Sequence, residues 1–167
     1  MSESSIAVAN YFIRRALDEN KPVTAMQVLK LVYIAHGWYL ALMEGRPLIK
    51  DDVEAWQYGP VIPVLYHEIK AFKGNPCDSL LSLYDGKRDV YEHPTVKNKI
   101  ALLLLDAVWK KYGYRSGLNL SSLTHKAGTP WDQVWNKEGG STRRGAVIPN
   151  ALIKKHYTEE YQKLNRG

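Results

Sequence analysis

The 167 residues include a single cysteine, Cys77, and only two phenylalanines. A lone thiol excludes an intramolecular disulfide framework and a cluster of cysteine ligands, and it fits a reducing compartment. Long hydrophobic stretches are also missing. The longest aliphatic run, Ile100 to Leu105, is far short of the ~20 residues that a membrane-spanning helix needs. No Lys/Arg run leads into an apolar segment near Met1, so no signal peptide is expected. These absences lead us to expect a soluble, cytoplasmic protein without membrane contact.

The signatures of common chemistries are absent as well. There is no Walker loop, no G-x-G-x-x-G, no G-x-S-x-G and no H-E-x-x-H. Gly139-Gly140-Ser141-Thr142-Arg143-Arg144 lacks the lysine spacing and preceding strand of a phosphate loop, and reads as an exposed surface turn. The histidines, His36, His67, His93, His125 and His156, show no zinc-ligand spacing. A metal or acid/base centre would have to be assembled from His36, Glu54 and His125 by tertiary approach. Cys77 follows Pro76 with no sign of thiolate activation. We therefore expect no enzyme, no metal and no cofactor. A metal-dependent hydrolase is an alternative that rests on those three side chains alone.

Acidic residues are scarce towards the C-terminus. Residues 1–96 carry 10 Lys/Arg against 12 Asp/Glu, and residues 97–167 carry 13 against 5, for a net charge of +6 overall. A basic second half suits nucleic acid or an acidic protein. The positive charges are scattered without an Arg/Lys run, so a solvated face is the reading and a nucleic-acid-binding regulator the alternative.

What is present is helical periodicity. A chain of this length buries about 70% of its unfolded surface and needs no staple. Ser4-Ser5 should cap a helix with Ile6, Ala9, Phe12, Ile13, Ala16 and Leu17 on one face. Thr24-x-x-Gln27 has the form of a capping box, opening a second helix to about Met43 whose apolar residues nearly encircle it. Such a helix belongs at the centre of a domain. Thr95 to Tyr112 reads as a helix with Val96, Ile100, Leu103, Leu104, Ala107 and Val108 inward. A short helix is expected over Leu118–Lys126, a stub from Pro130 with Trp131, Val134 and Trp135, and a last helix from Ala151 capped by Asn150. Leu81–Leu83 and Val90–Tyr91 are expected as short strands around a loop tip. The fold class is mainly α: a single compact domain over residues 1–167, six or seven helices around a central apolar helix, with a small β element.

The most informative stretch is Asp52 to Tyr66. Val53, Ala55 and Gln57 alternate with Glu54, Trp56 and Tyr58, as in a strand. Gly59-Pro60 should end it, because proline has no N–H for a ladder. Pro60 and Pro63 should lie in the first turn of a helix running through Val64, Leu65, Ile69 and Phe72. The expectation is a strand, a stiff corner and a helix that hold Glu54 in fixed relation to Tyr66. Glu54 reads as a hydrogen-bonded strut and Trp56 as core.

Three segments together resemble the Panacea domain family of SocA-like antitoxins, a group that includes the phage-associated GepA proteins. They are Leu29-Lys30-Leu31-Val32-Tyr33-Ile34-Ala35-His36; Glu54-Ala55-Trp56 with Gly59-Pro60-Val61-x-Pro63-x-x-Tyr66; and Leu120-Ser121-x-Leu123-Thr124-His125 followed by Pro130-Trp131. The resemblance implies a protein-binding antitoxin that neutralises a cognate toxin encoded beside it, by direct contact or as an adaptor handing it to the ClpXP protease. Phage or prophage origin is part of the same implication. Tyr33, His36, Glu54, Trp56, Gly59, Pro60, Val61, Pro63, Tyr66, His125, Pro130 and Trp131 are the candidate site residues, as scaffold or partner contact. The exposed stretches Cys77–Glu92 and Gly139–Gly145 and the last helix are expected to set partner specificity.

Overall fold

The helix-start signals act as read. In the computed structural model, which describes residues 2–166, Ser4 caps α1 (Ser5–Asp18) by accepting the amide of Ala7. Thr24 and Gln27 close a reciprocal capping box on α2 (Ala25–Leu42). Burial of most of α2, from Val28 to Leu40, makes it the axis of the fold. Around it pack α1, α4 (Lys99–Tyr112), α5 (Gly117–His125) and α7 (Asn150–Arg166). Each fully buried Leu, Ile or Phe side chain contributes roughly 1.5–3 kcal/mol to this core.

The β element is two antiparallel hairpins: β1 (Glu54–Trp56) with β2 (Gly59–Val61), and β3 (Leu83–Asp85) with β4 (Val90–Glu92). The first corrects the expectation that Gly59-Pro60 ends the strand. Pro60 lies opposite Ala55, whose own amide turns away to the carbonyl of Ala146 at 2.8 Å. This pair exchanges no hydrogen bond, so a residue without N–H fits there. Residues 146–148 run beside β1 through a single antiparallel bridge, Val147 opposite Glu54, with Ile148 donating to Val53 at 2.8 Å. Gly59 adopts φ +120°, and a Cβ there would sit 2.8 Å from Nζ of Lys30, which makes glycine a requirement. α3 (Pro63–Ile69) starts with proline in its first turn and ends in a 3-10 turn, Lys70–Phe72.

Several faces differ from expectation. α4 starts at Lys99, capped by Asn98, and buries Ala101, Leu105, Val108, Trp109 and Tyr112, leaving Ile100 and Leu103 exposed. The four consecutive leucines 102–105 allow two stripes, and the aromatics Trp109 and Tyr112 select the one that forms. Leu17 and Val64 are exposed, one in the last turn of α1 and the other on the solvent side of α3. Gly140, expected in an exposed turn, is buried against the carbonyl of Val134, while Ser141 to Gly145 are exposed. Asn150 begins α7, and its side-chain oxygen meets Nε2 of His36 at 2.9 Å where a helix cap was expected.

A clamped hairpin beside an open groove as the candidate functional site

Three side chains from three helices take three alternate carbonyls of the first hairpin. The indole N–H of Trp131, in α6 (Pro130–Asp132), donates to the carbonyl of Trp56 at 2.6 Å. The Ser121 hydroxyl of α5 donates to that of Tyr58 at 3.1 Å, and the Lys30 ammonium of α2 to that of Pro60 at 3.0 Å. The Lys30–Pro60 bond is buried, and leaving a buried carbonyl unmet costs roughly 1–3 kcal/mol; the other two bonds are partly buried. The hairpin is thereby clamped from its edge and its turn at once.

Aromatic packing completes the clamp. The rings of Trp131 and Trp135 stack 5.8 Å apart, where the helix continues past Asp132 as a π-helical turn over Gln133–Lys137. His125 meets Trp131 edge-on at 5.3 Å, and its Nδ1 lies 3.3 Å from the Ser121 hydroxyl. On the other side Trp56 donates to Glu54 at 3.0 Å and meets Tyr66 edge-on at 5.1 Å. The fixed relation of Glu54 to Tyr66 is real, with the Trp56 indole as the link. Trp56 itself is half-buried, a correction to its reading as core: its other face borders a groove.

His36 lies fully buried elsewhere on α2. Its Nδ1 accepts the amide of Ile49 at 3.5 Å and its Nε2 faces Asn150, so the ring is a neutral tautomer; burial lowers its pKa. His36, Glu54 and His125 thus each have separate partners, and no three His, Cys, Asp or Glu among the described residues are grouped to hold a metal ion. Tyr33 is buried, edge-on to Tyr157 at 6.3 Å. Pro130 is buried as well, while Val61, Pro63 and His125 are half-buried. Burial and the neighbouring Asp78 push the Cys77 thiol up to about 11, which keeps it protonated.

The groove, about 500 Å³, runs between α2, the hairpin and α3. Met26, Leu29, Trp56, Tyr58, Val61 and Tyr66 line it, with Lys30 in its wall and Lys70 and Lys73 at its margin. Sequence reasoning left Lys30 and Ser121 out of the site, although both lie inside the quoted motif segments. The available signal was a single charge on an otherwise apolar stretch of α2.

Lys30 is 4% exposed, and burial lowers its pKa to about 8. A depressed lysine pKa means that the unfolded chain binds more protons between that value and the unfolded ~10.4. Stability should therefore rise with pH from about 8 upwards, and Lys30→Met should flatten the rise. Urea titrations of both proteins at pH 7, 8, 9 and 10 check this, the difference between the two curves isolating Lys30 from the tyrosines.

Fold and site define a helical domain that presents a clamped hairpin beside an apolar groove with cationic margins. The chain belongs to the antitoxin SocA-like, Panacea domain family, whose match spans residues 28–132 and takes in all three clamping side chains. It is similar to antitoxin SocA of Caulobacter vibrioides (strain NA1000 / CB15N), at 28% identity over 169 aligned residues, covering 95% of this chain and 84% of that one. No solved structure matches it significantly. Membership supports an antitoxin role, and with it a toxin as partner in general terms. Among the described residues no helix is long and apolar enough to cross a membrane.

Proposed function

We propose that this chain is an antitoxin that neutralises a cognate toxin, encoded beside it, by direct protein contact. The observation that supports this best is the convergence of the three motif segments on one clamped hairpin. Their side chains are occupied with one another and with backbone, as in a scaffold that presents a surface. Tyr33, His36, Pro130 and Trp131 serve that scaffold from inside. Glu54, Trp56 and Tyr66 tie the hairpin to α3 and present their remaining faces to the partner. Specificity comes from the exposed surroundings: residues 77–92 apart from the buried Cys77 and Leu81, the Ser141–Gly145 turn and α7.

The test is co-expression. Inducing the neighbouring reading frame alone should arrest growth, and supplying this chain should restore it. The toxin's half-life should stay unchanged during rescue, because contact alone silences it. A half-life that shortens only when ClpXP is present would reassign the chain as a proteolytic adaptor. Arrest that persists with the chain present would end the antitoxin reading.

A further inference from the structure

We infer that the groove between α2, the hairpin and α3 is a docking site for an extended segment of a partner protein in which an acidic side chain neighbours an apolar or aromatic one. The inference rests on the reading of this chain as a protein-binding antitoxin and specifies where and how a partner is held.

The groove has the size of a site for a few side chains, since ligand pockets run about 300–1,000 Å³. Its wall is mostly apolar and rich in aromatics, the composition of interface cores. Tyr58 is exposed at the turn, and Trp56 and Tyr66 are braced against each other, so the contact surface is rigid before anything binds.

Charge selects the occupant. Among the described residues no Asp or Glu lines the groove, whereas Lys30, Lys70 and Lys73 all do. Lys70 and Lys73 are exposed at the margin. Lys30 differs: its ammonium is buried, no carboxylate among the described residues lies within ion-pair distance of it, and its hydrogen bond to Pro60 uses one donor of three. A buried cation with spare donors costs stability while it stays unmatched. A carboxylate arriving in the groove would supply the missing counter-charge, and its neighbouring apolar side chain would cover Met26 and Leu29. Basic segments would meet three like charges and be rejected.

A random dodecapeptide display library, panned on the immobilised full chain, tests this without any toxin in hand. Enriched sequences should pair Asp or Glu with Leu, Phe, Tyr or Trp. A synthetic peptide of the leading sequence should shift the Trp56 indole N–H in a ¹⁵N-correlated NMR titration. Lys70→Glu, an exposed change that leaves the hairpin clamp untouched, should weaken that peptide at least fivefold. Lys30→Met should weaken it more than tenfold with the thermal transition retained. Enrichment of basic or purely apolar sequences, shifts that bypass Trp56, or equal binding by both variants would overturn the site. Growth rescue reads the antitoxin role separately: rescue that survives Lys70→Glu and Lys30→Met alongside a failed panning removes the groove and leaves that role standing.

Discussion

Alanine at Gly37 should lower stability by about 2 kcal/mol, the balance of a clash of about 3 kcal/mol, at the upper end of what overpacking in a close-packed core costs, and a smaller helix-forming gain. An ideal Cβ at this position meets Cδ2 and Cε2 of Tyr157 at 2.3 Å and Cγ at 2.9 Å. The ring cannot step aside easily. It is buried between Tyr33 and Trp38, edge-on to both at 6.3 and 5.3 Å. Alanine gains about 1 kcal/mol over glycine in a helix interior, so the net loss is smaller than the clash alone but keeps its sign. With a net loss of about 2 kcal/mol, the midpoint of a domain of this size should fall by roughly 4–8 °C, at about 2–4 °C per kcal/mol. Circular-dichroism melts measure it, with Gly74→Ala as control, since nothing lies within 4 Å of a Cβ there. Tyr157→Leu should recover part of the loss in the double variant, because the two sites are in direct contact.

Trp131→Ala should cost about 3–5 kcal/mol, the range for truncating a large buried aromatic. Three things go at once: the donor to the Trp56 carbonyl, the stack on Trp135 and the edge contact with His125. Trp131→Phe separates them. It keeps most of the packing and loses the N–H, so its cost should be about 0.5–1.5 kcal/mol, that of one hydrogen bond. Equal destabilisation by both variants in urea titrations would mean that packing alone holds the hairpin.

The sequence made the helical frame legible where local chemistry decides it. Ser4, the Thr24–Gln27 box and Pro63 each mark a helix start through groups within a turn of it. The central place of α2 was readable too, since a helix apolar on nearly every side has few other places to go. The phase of α4 was not, because Leu102–Leu105 satisfy either stripe and only the helices around it choose. The first hairpin was hidden by Pro60. Whether a strand tolerates proline depends on which residue pair exchanges hydrogen bonds, and residues 146–148, far along the chain, settle that. In the site, the motif pointed to the right segments while the clamp's chemistry stayed out of view. Lys30 and Ser121 act on backbone carbonyls, and a carbonyl leaves no trace in the residue type that carries it.

The motif segments meet as a clamp on residues 54–61, and hydrogen exchange at single amides tests that most directly. In Trp131→Phe the amides of Ala55 and Ile148 should exchange at least tenfold faster than in the parent chain, with β3–β4 unchanged. Unaltered exchange at those two amides, in a variant whose indole donor is gone, would contradict it.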